Sequence, residues 1–463
     1  MSRYVGTILI VLVLIPGLGA SSRAYEPVYN APAETDWPMV RGHLDGNPIV
    51  TSKSIFRTSE TVLTRLANVP KWLVSGDMNG DGNDEVVVLT NEGVLRVLTL
   101  DRGNIRRVSF VTNLSKDSPP IVLKKPASGF PVGIVGIDKE GNMLWIHPWT
   151  GKTTQLSKGF SRSSYPVAVD LDGDGSDEIL GVSEKGRFTI VFGTNLARSD
   201  NRTVLLPDTR ITVGDLDGDG RKEAVALSLP TEEFSQERLG DGIEAQGLAV
   251  FTWDGSIVKL VTEFKIKSPQ MFEVLTPILA DVNDDGKMEI LVTTTEEGAG
   301  SRLRTLRYTN RRIVIQRSGP VISGNAWIQP IAVSELGDSD QKFILGVSDP
   351  AGKGTLEVYY PLLPETRFTL KGKISTLLSD RVMETALVGD FNDDDKIEII
   401  APDEFQQKLR IFYLQNTVLR NTDAVITNST LVTNLCPGDF NGDNRTDIAV
   451  GFADSAVVFF LGR

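Results

Sequence analysis

The chain has 463 residues, of which 40% are hydrophobic, and a formal net charge of −12. That acidic balance argues against nucleic acid or an anionic membrane surface as partner. One Cys and two His allow no intrachain disulfide and make zinc a poor candidate for any metal site.

The chain opens with "MSRYVGTILIVLVLIPGLGASSRA". Arg3 supplies a basic start, Val5 to Ile15 an apolar core, and small residues follow to Ala24, which predicts a signal peptide over 1–24. The apolar core is shorter than the roughly 20 residues of a membrane span, and no second such run follows. The mature chain is therefore expected to be secreted, periplasmic or at the cell surface, with no stable membrane span. Residues 25–57 read as an N-terminal extension and 58–463 as one repeat domain. "TVLTRLA" (61–67) reads as a strand set apart from the repeats that follow.

Acidic turns then recur along the chain, each with oxygen-bearing side chains at positions 1, 3, 5 and 9. "DMNGDGNDE" carries Asp77, Asn79, Asp81 and Glu85, with Asn83 at position 7. "DLDGDGSDE" carries Asp170, Asp172, Asp174 and Glu178, with Ser176 at position 7. "DLDGDGRKE" carries Asp215, Asp217, Asp219 and Glu223 around Arg221, and "DVNDDGKME" carries Asp281, Asn283, Asp285 and Glu289 around Lys287. "DFNDDDKIE" carries Asp390, Asn392, Asp394 and Glu398 around Lys396. "DFNGDNRTD" carries Asp439, Asn441, Asp443 and Asp447 around Arg445. A single such turn could be ordinary surface, since Asp and Gly are common in turns. Six in register are a metal signature.

Calcium takes six to eight oxygens, and short carboxylates at alternate positions wrap it, with a main-chain carbonyl available at position 7. Gly at position 6 permits the sharp turn. Asp395 and Asn444 replace it in the last two loops, which are the weaker candidates. Magnesium prefers a more rigid shell that retains water. An EF-hand needs Glu at position 12 between helices. Here that position holds Val88, Gly181, Ala226, Val292, Ala401 and Val450, and flanks such as "EVVVLT" and "DIAVGF" are strand-like.

The shortest interval between loops is 45 residues, from Asp170 to Asp215. The intervals from Asp77 to Asp170 and from Asp281 to Asp390 are 93 and 109 residues, about twice as long. Each hides a unit without the full acid set, "PPIVLKKPASGFPVGIVGI" from Pro119 and "PIAVSELGDSDQKFILGV" from Pro330. Each unit reads as four strands; in the third these are "YPVAV", "EILGV", "RFTIVFG" and "TVLLP". Turns "NEG" (91–93), "KEG" (139–141) and "EKG" (184–186) join second to third strands. The last unit, ending in "AVVFFLG", is one strand short, and the strand at 61–67 can complete it. The expected fold is all-β: an eight-bladed, alternatively seven-bladed, β-propeller of four-stranded blades, closed by that strand. Cys436, in "TNLCPGD", is expected on a buried strand as a structural residue.

From about residue 70 to the end the loops resemble the calcium loops of FG-GAP/VCBS repeat propellers, found in integrin α-subunit heads and many exported bacterial proteins. The resemblance implies calcium between the first and second strands of a blade, held in the third unit by Asp170, Asp172, Asp174, Glu178 and the carbonyl of Ser176. It implies a non-catalytic binding or adhesion module for a protein or glycan ligand. The alternative is a calcium-dependent carbohydrate-active enzyme such as a polysaccharide lyase, because some similar propellers are lyases. A lyase needs a base, and His43 and His147 read better as structural residues. The long second-to-third connection of the fourth unit, 231–247, with Phe234 and Arg238, is the candidate ligand-binding segment, beside "EEGAGS" (296–301) of the fifth.

Overall fold

The structure, a computed structural model, describes residues 56–462 except 111–112, 126–130, 194, 200–203, 229–242, 270–276, 297–299, 320–326, 336–341, 350–353, 362–367, 379–385, 392–395, 403–407, 416–417 and 428–429. The expected signal peptide, His43, Phe234, Arg238, Asn392 and Asp394 lie outside the described residues. Among the described residues no helix is long and apolar enough to cross a membrane.

The strands form eight four-stranded antiparallel sheets, each built from successive strands paired in chain order except the last. These are the blades of a β-propeller. The first blade comprises Pro70–Gly76, Glu85–Thr90, Leu95–Asp101 and Asn104–Phe110. The units lacking acids build blades of the same kind, opening with Ile121–Leu123 and Trp327–Glu335. In the last blade, Val432–Gly438, Asp447–Phe452 and Ala456–Gly462 are joined by Phe56–Arg65 from the other end of the chain. Val62 pairs with Phe459, Leu63 with Val458 and Thr64 with Val457.

The second strands are short β-branched and aliphatic runs, buried from end to end in the first, third and fourth blades. Burial on both faces follows because each blade packs between two others. One apolar cluster spans the second, third and fourth blades, where Phe188 and Phe251 stack at 4.6 Å. Another joins the first, seventh and eighth. The first strands of the first and eighth blades also meet through polar contacts. The Leu73 amide donates to Asn434 Oδ1 at 3.1 Å, and the Ser75 hydroxyl donates to the Pro437 carbonyl at 2.6 Å.

One expected strand is misplaced. The fourth strand of the third blade is Asn195–Arg198, hairpinned tightly to Phe188–Phe192, and not "TVLLP". The apolar character of 203–207 has another cause. Leu205 is fully buried and makes a single bridge to Ser228 in the fourth blade. It repeats Leu114, which bridges to Asp138, and Phe160, which bridges to Ser183. Each of the three seats against the second-to-third turn of the blade before it. A side chain at Gly93, Gly141 or Gly186 would collide with the main-chain oxygen of Leu114, Phe160 or Leu205 respectively. The turns "NEG", "KEG" and "EKG" therefore end in Gly for close approach as well as for their positive φ.

The strand Phe56–Arg65 covers an otherwise open edge of Ala456–Gly462, and uncovered edges invite intermolecular pairing. Deleting residues 25–68 should yield a chain that aggregates on size-exclusion chromatography. A monomer melting with the full mature chain would show that this strand is dispensable.

Candidate metal centres

Each acidic turn follows the first strand of its blade, and its ninth residue opens the second strand. The position-1 carboxylate folds inward over the turn. Asp170 accepts the Gly173 amide on Oδ1 at 2.7 Å and the Gly175 amide on Oδ2 at 3.0 Å. Asp77, Asp215 and Asp439 hold the amides of positions 4 and 6 in the same way. Asp281 accepts from Gly286. Reaching that shape takes left-handed backbone at both positions, with φ of 80° at Gly173 and 90° at Gly175. Asn444 takes position 6 at φ 62° and Asp284 takes position 4 at φ 59°, as short polar side chains can. Position 4 carries the same glycine signal as position 6, at Gly80, Gly173, Gly218 and Gly442.

Position 9 closes the turn. Oε2 of Glu85, Glu178, Glu223 and Glu289 accepts the amide of position 2, from Met78, Leu171, Leu216 and Val282, at 2.9–3.1 Å. Glu398 does so with Phe391 and Asp447 with Phe440. All six position-2 side chains are buried, which was a further unused signal. Position-5 carboxylates Asp81, Asp174, Asp219, Asp285 and Asp443 each accept the amide of position 7, from Asn83, Ser176, Arg221, Lys287 and Arg445.

The loops differ in how much negative charge they gather. Asp170, Asp172 and Glu178 bring one oxygen each to within 4.8 Å of one another, and Asp215, Asp217 and Glu223 do the same. In the other four position 3 is an amide. Asn79 Nδ2 donates to Glu85 Oε1 at 2.8 Å, and Asn283 Nδ2 to Glu289 Oε1 at 2.6 Å. Asp285 also forms an ion pair with Arg307 at 2.7 Å. Asn441 donates to Asp443. In the loop opening at Asp390, only Asp390, Lys396 and Glu398 among the ligand positions are described.

Burial, followed by the neighbouring carboxylates, pushes the position-nine acids up against the lowering effect of the position-2 amide. Glu85 rises to about 8, and Glu178, Glu223 and Glu289 to about 7. Asp447 rises to about 8, with amides of Gly462 and Phe440 opposing. The donor set is hard oxygen throughout, and a divalent cation would offset the mutual repulsion. The residues fit calcium. They would hold it and order the turn, with no bond-making step implied.

His147 and Cys436 have structural surroundings. His147 Nδ1 accepts the Trp149 amide at 3.2 Å within a hairpin turn. Cys436 is fully buried, and burial pushes its thiol well up.

No family model matches the chain, and no curated protein does. Among solved structures it is similar to the C-terminal WD40 domain of Sif2, at 13% identity over 86% of this chain and 98% of that one, with a TM-score of 0.44. It is also similar to BamB from Moraxella catarrhalis, at 11% identity over 86% and 97%, with a TM-score of 0.47. Likeness at this level assigns no ligand and no role.

An acid whose folded pKa is raised holds its proton more tightly in the folded chain than in the unfolded one. The position-nine acids thus contribute stability below their ordinary value of 4.5 (3.8 for Asp447), and lose it as pH rises through 7 to 8. In chelator, the melting temperature should fall between pH 5 and pH 8, and Glu223→Gln should flatten part of that slope in calorimetry. A chelated melt that rises over this interval would contradict the uncompensated burial of these acids.

Proposed function

We propose that the chain is an exported calcium-binding propeller of the FG-GAP/VCBS type, serving as a non-catalytic binding module. The observation that carries this reading is the convergence of three carboxylate oxygens in each of two adjacent blades, one of the three from an acid whose pKa is raised by burial and then by its neighbours. Calcium in this reading is structural. A site kept at a hundred times its dissociation constant contributes about 2.7 kcal/mol, and several sites act together. Excess EDTA should lower the melting temperature by many degrees, and calcium should restore it better than magnesium. Asp174→Ala should remove roughly one site's share while the fold persists. A melt unmoved by EDTA would refute the calcium assignment.

The partner in this reading is a protein or glycan held on the face opposite the calcium loops, where second-to-third connections emerge. In the fourth blade the strands Ile243–Trp253 and Val258–Pro269 stay paired from Trp253 and Val258 out to Ile243 and Pro269. The neighbouring second strand stops at Ser228, opposite Gly247. A two-stranded ribbon thus projects on that face. Replacing 231–247 by a short Gly-containing turn should leave calcium-dependent melting intact and abolish ligand capture on a glycan array or by surface-immobilised partner. Retained binding would move the site to the channel or to the calcium face. Product formation in a uronate-lyase absorbance assay would instead favour the enzymatic alternative.

A further inference from the structure

We infer that Asp84, which stands outside the ligand positions, is a positioning residue for the calcium loop that opens at Asp439, some 355 residues away and in the last blade. The inference rests on the calcium reading of that loop. Asp84 occupies position 8 of the first loop, between Asn83 and the buried Glu85. Its amide donates to the main-chain oxygen of Asp439 at 2.7 Å, and its Oδ2 accepts the amide of Asp439 at 2.9 Å. Both main-chain polar groups of one ligand residue are thereby held by one residue from the other end of the chain.

The surroundings are built around this clamp. Asp84 is 5% exposed. Gly438, just before Asp439, leaves space for the Phe440 ring and for Asp84, since a Cβ there would lie 2.6 Å from Phe440 Cε1 and 3.0 Å from Asp84 Oδ2. Asn83 lies against Gly442 of the same loop, where a side chain would collide with its Oδ1. Asp439 in turn holds the amides of Gly442 and Asn444. Fixing its N–H and C=O fixes the direction in which its carboxylate leaves the main chain, and hence the geometry offered to a cation.

A second clamp provides a contrast. Asp177, at position 8 of the third-blade loop, donates its amide to the Lys125 oxygen at 2.6 Å and accepts the Lys125 amide on Oδ2 at 2.9 Å. Lys125 thus takes, in blade-to-blade register, the place that Asp439 holds, but in a blade without the acids. The two clamps share their bonding and differ in what they hold. Two other position-8 residues also reach the preceding blade, the Met288 amide donating to the Asp215 oxygen at 3.2 Å and Lys222 Nζ to the Asp170 oxygen at 3.4 Å.

Partners that orient a metal ligand typically contribute roughly 10- to 100-fold in affinity. Calorimetric calcium titration of the full chain should show Asp84→Ala weakening one site by about that factor, with Asp84→Asn, which keeps an accepting oxygen, recovering most of it. Asp84→Ala should add nothing in an Asp439→Ala background. Asp177→Ala should leave the isotherm unchanged, which separates a cross-blade effect from disturbance of the residue's own loop. In chelator, amide exchange at Asp439 should accelerate in Asp84→Ala. If that variant does not fold, Asp84→Glu, which keeps the charge and displaces the oxygen, carries the same expectations. Calcium uptake that Asp84→Ala leaves unaltered, an equal loss in Asp177→Ala, or unchanged exchange at Asp439 would overturn the positioning role alone. A wild-type chain that takes up no calcium would overturn the calcium reading with it.

Discussion

Everything on the acidic face depends on one arrangement, a buried carboxylate at the start of a second strand that accepts the amide of the second residue of its own turn. That bond fixes where the turn ends and sets the remaining acids above a desolvated one. The position-1 acid then ties down the amides of positions 4 and 6. The outcome is a preformed concavity lined with oxygen. Its shape comes from hydrogen bonds and its electrostatic strain from crowding like charges, so the same residues that make the turn reproducible make it costly without a counter-ion.

The repeat was legible because period, acid spacing and strand composition agree at every level. The 45-residue spacing located the full units, and the doubled intervals located the two without acids. Both became blades. What escaped notice was whatever depends on a neighbouring blade. "TVLLP" has strand composition, and only the packing shows Leu205 serving as a buried plug beside Leu114 and Phe160. Even within one blade, Arg307 stands on the third strand, 22 residues from Asp285, and nothing local in either stretch announces their pairing. Asp84 and Asp177 carry no local mark of their role, since a repeat read in isolation shows the loop but not the residue it leans on. By contrast, position 4 and the apolar position 2 were visible in the sequence and went unweighed.

Main-chain hydrogen bonds join successive blades on both faces of the ring. On the acidic face, successive blades meet through main-chain amides, carbonyls and carboxylates of the turns. On the other face, the main chain of Leu114, Phe160 and Leu205 lies close against a turn glycine, and the Phe160 and Leu205 amides donate to the Gly141 and Gly186 oxygens at 3.0 and 2.6 Å. What sets the acidic side apart is its crowd of carboxylates, which makes its stiffness respond to charge. Fluctuations of the ring should therefore be uneven through its thickness, with the acidic side the more responsive to solution conditions.

The glycine seats carry an implication for how such a ring can acquire new parts. Where a turn must fit under the main chain of the following blade, lengthening it would dislodge the plug, so the first three blades have little freedom to grow there. The fourth connects the same pair of strands with a much longer segment. Grafted epitopes, affinity tags or inserted domains are best carried on that later arc, leaving the early arc as an unaltered foundation.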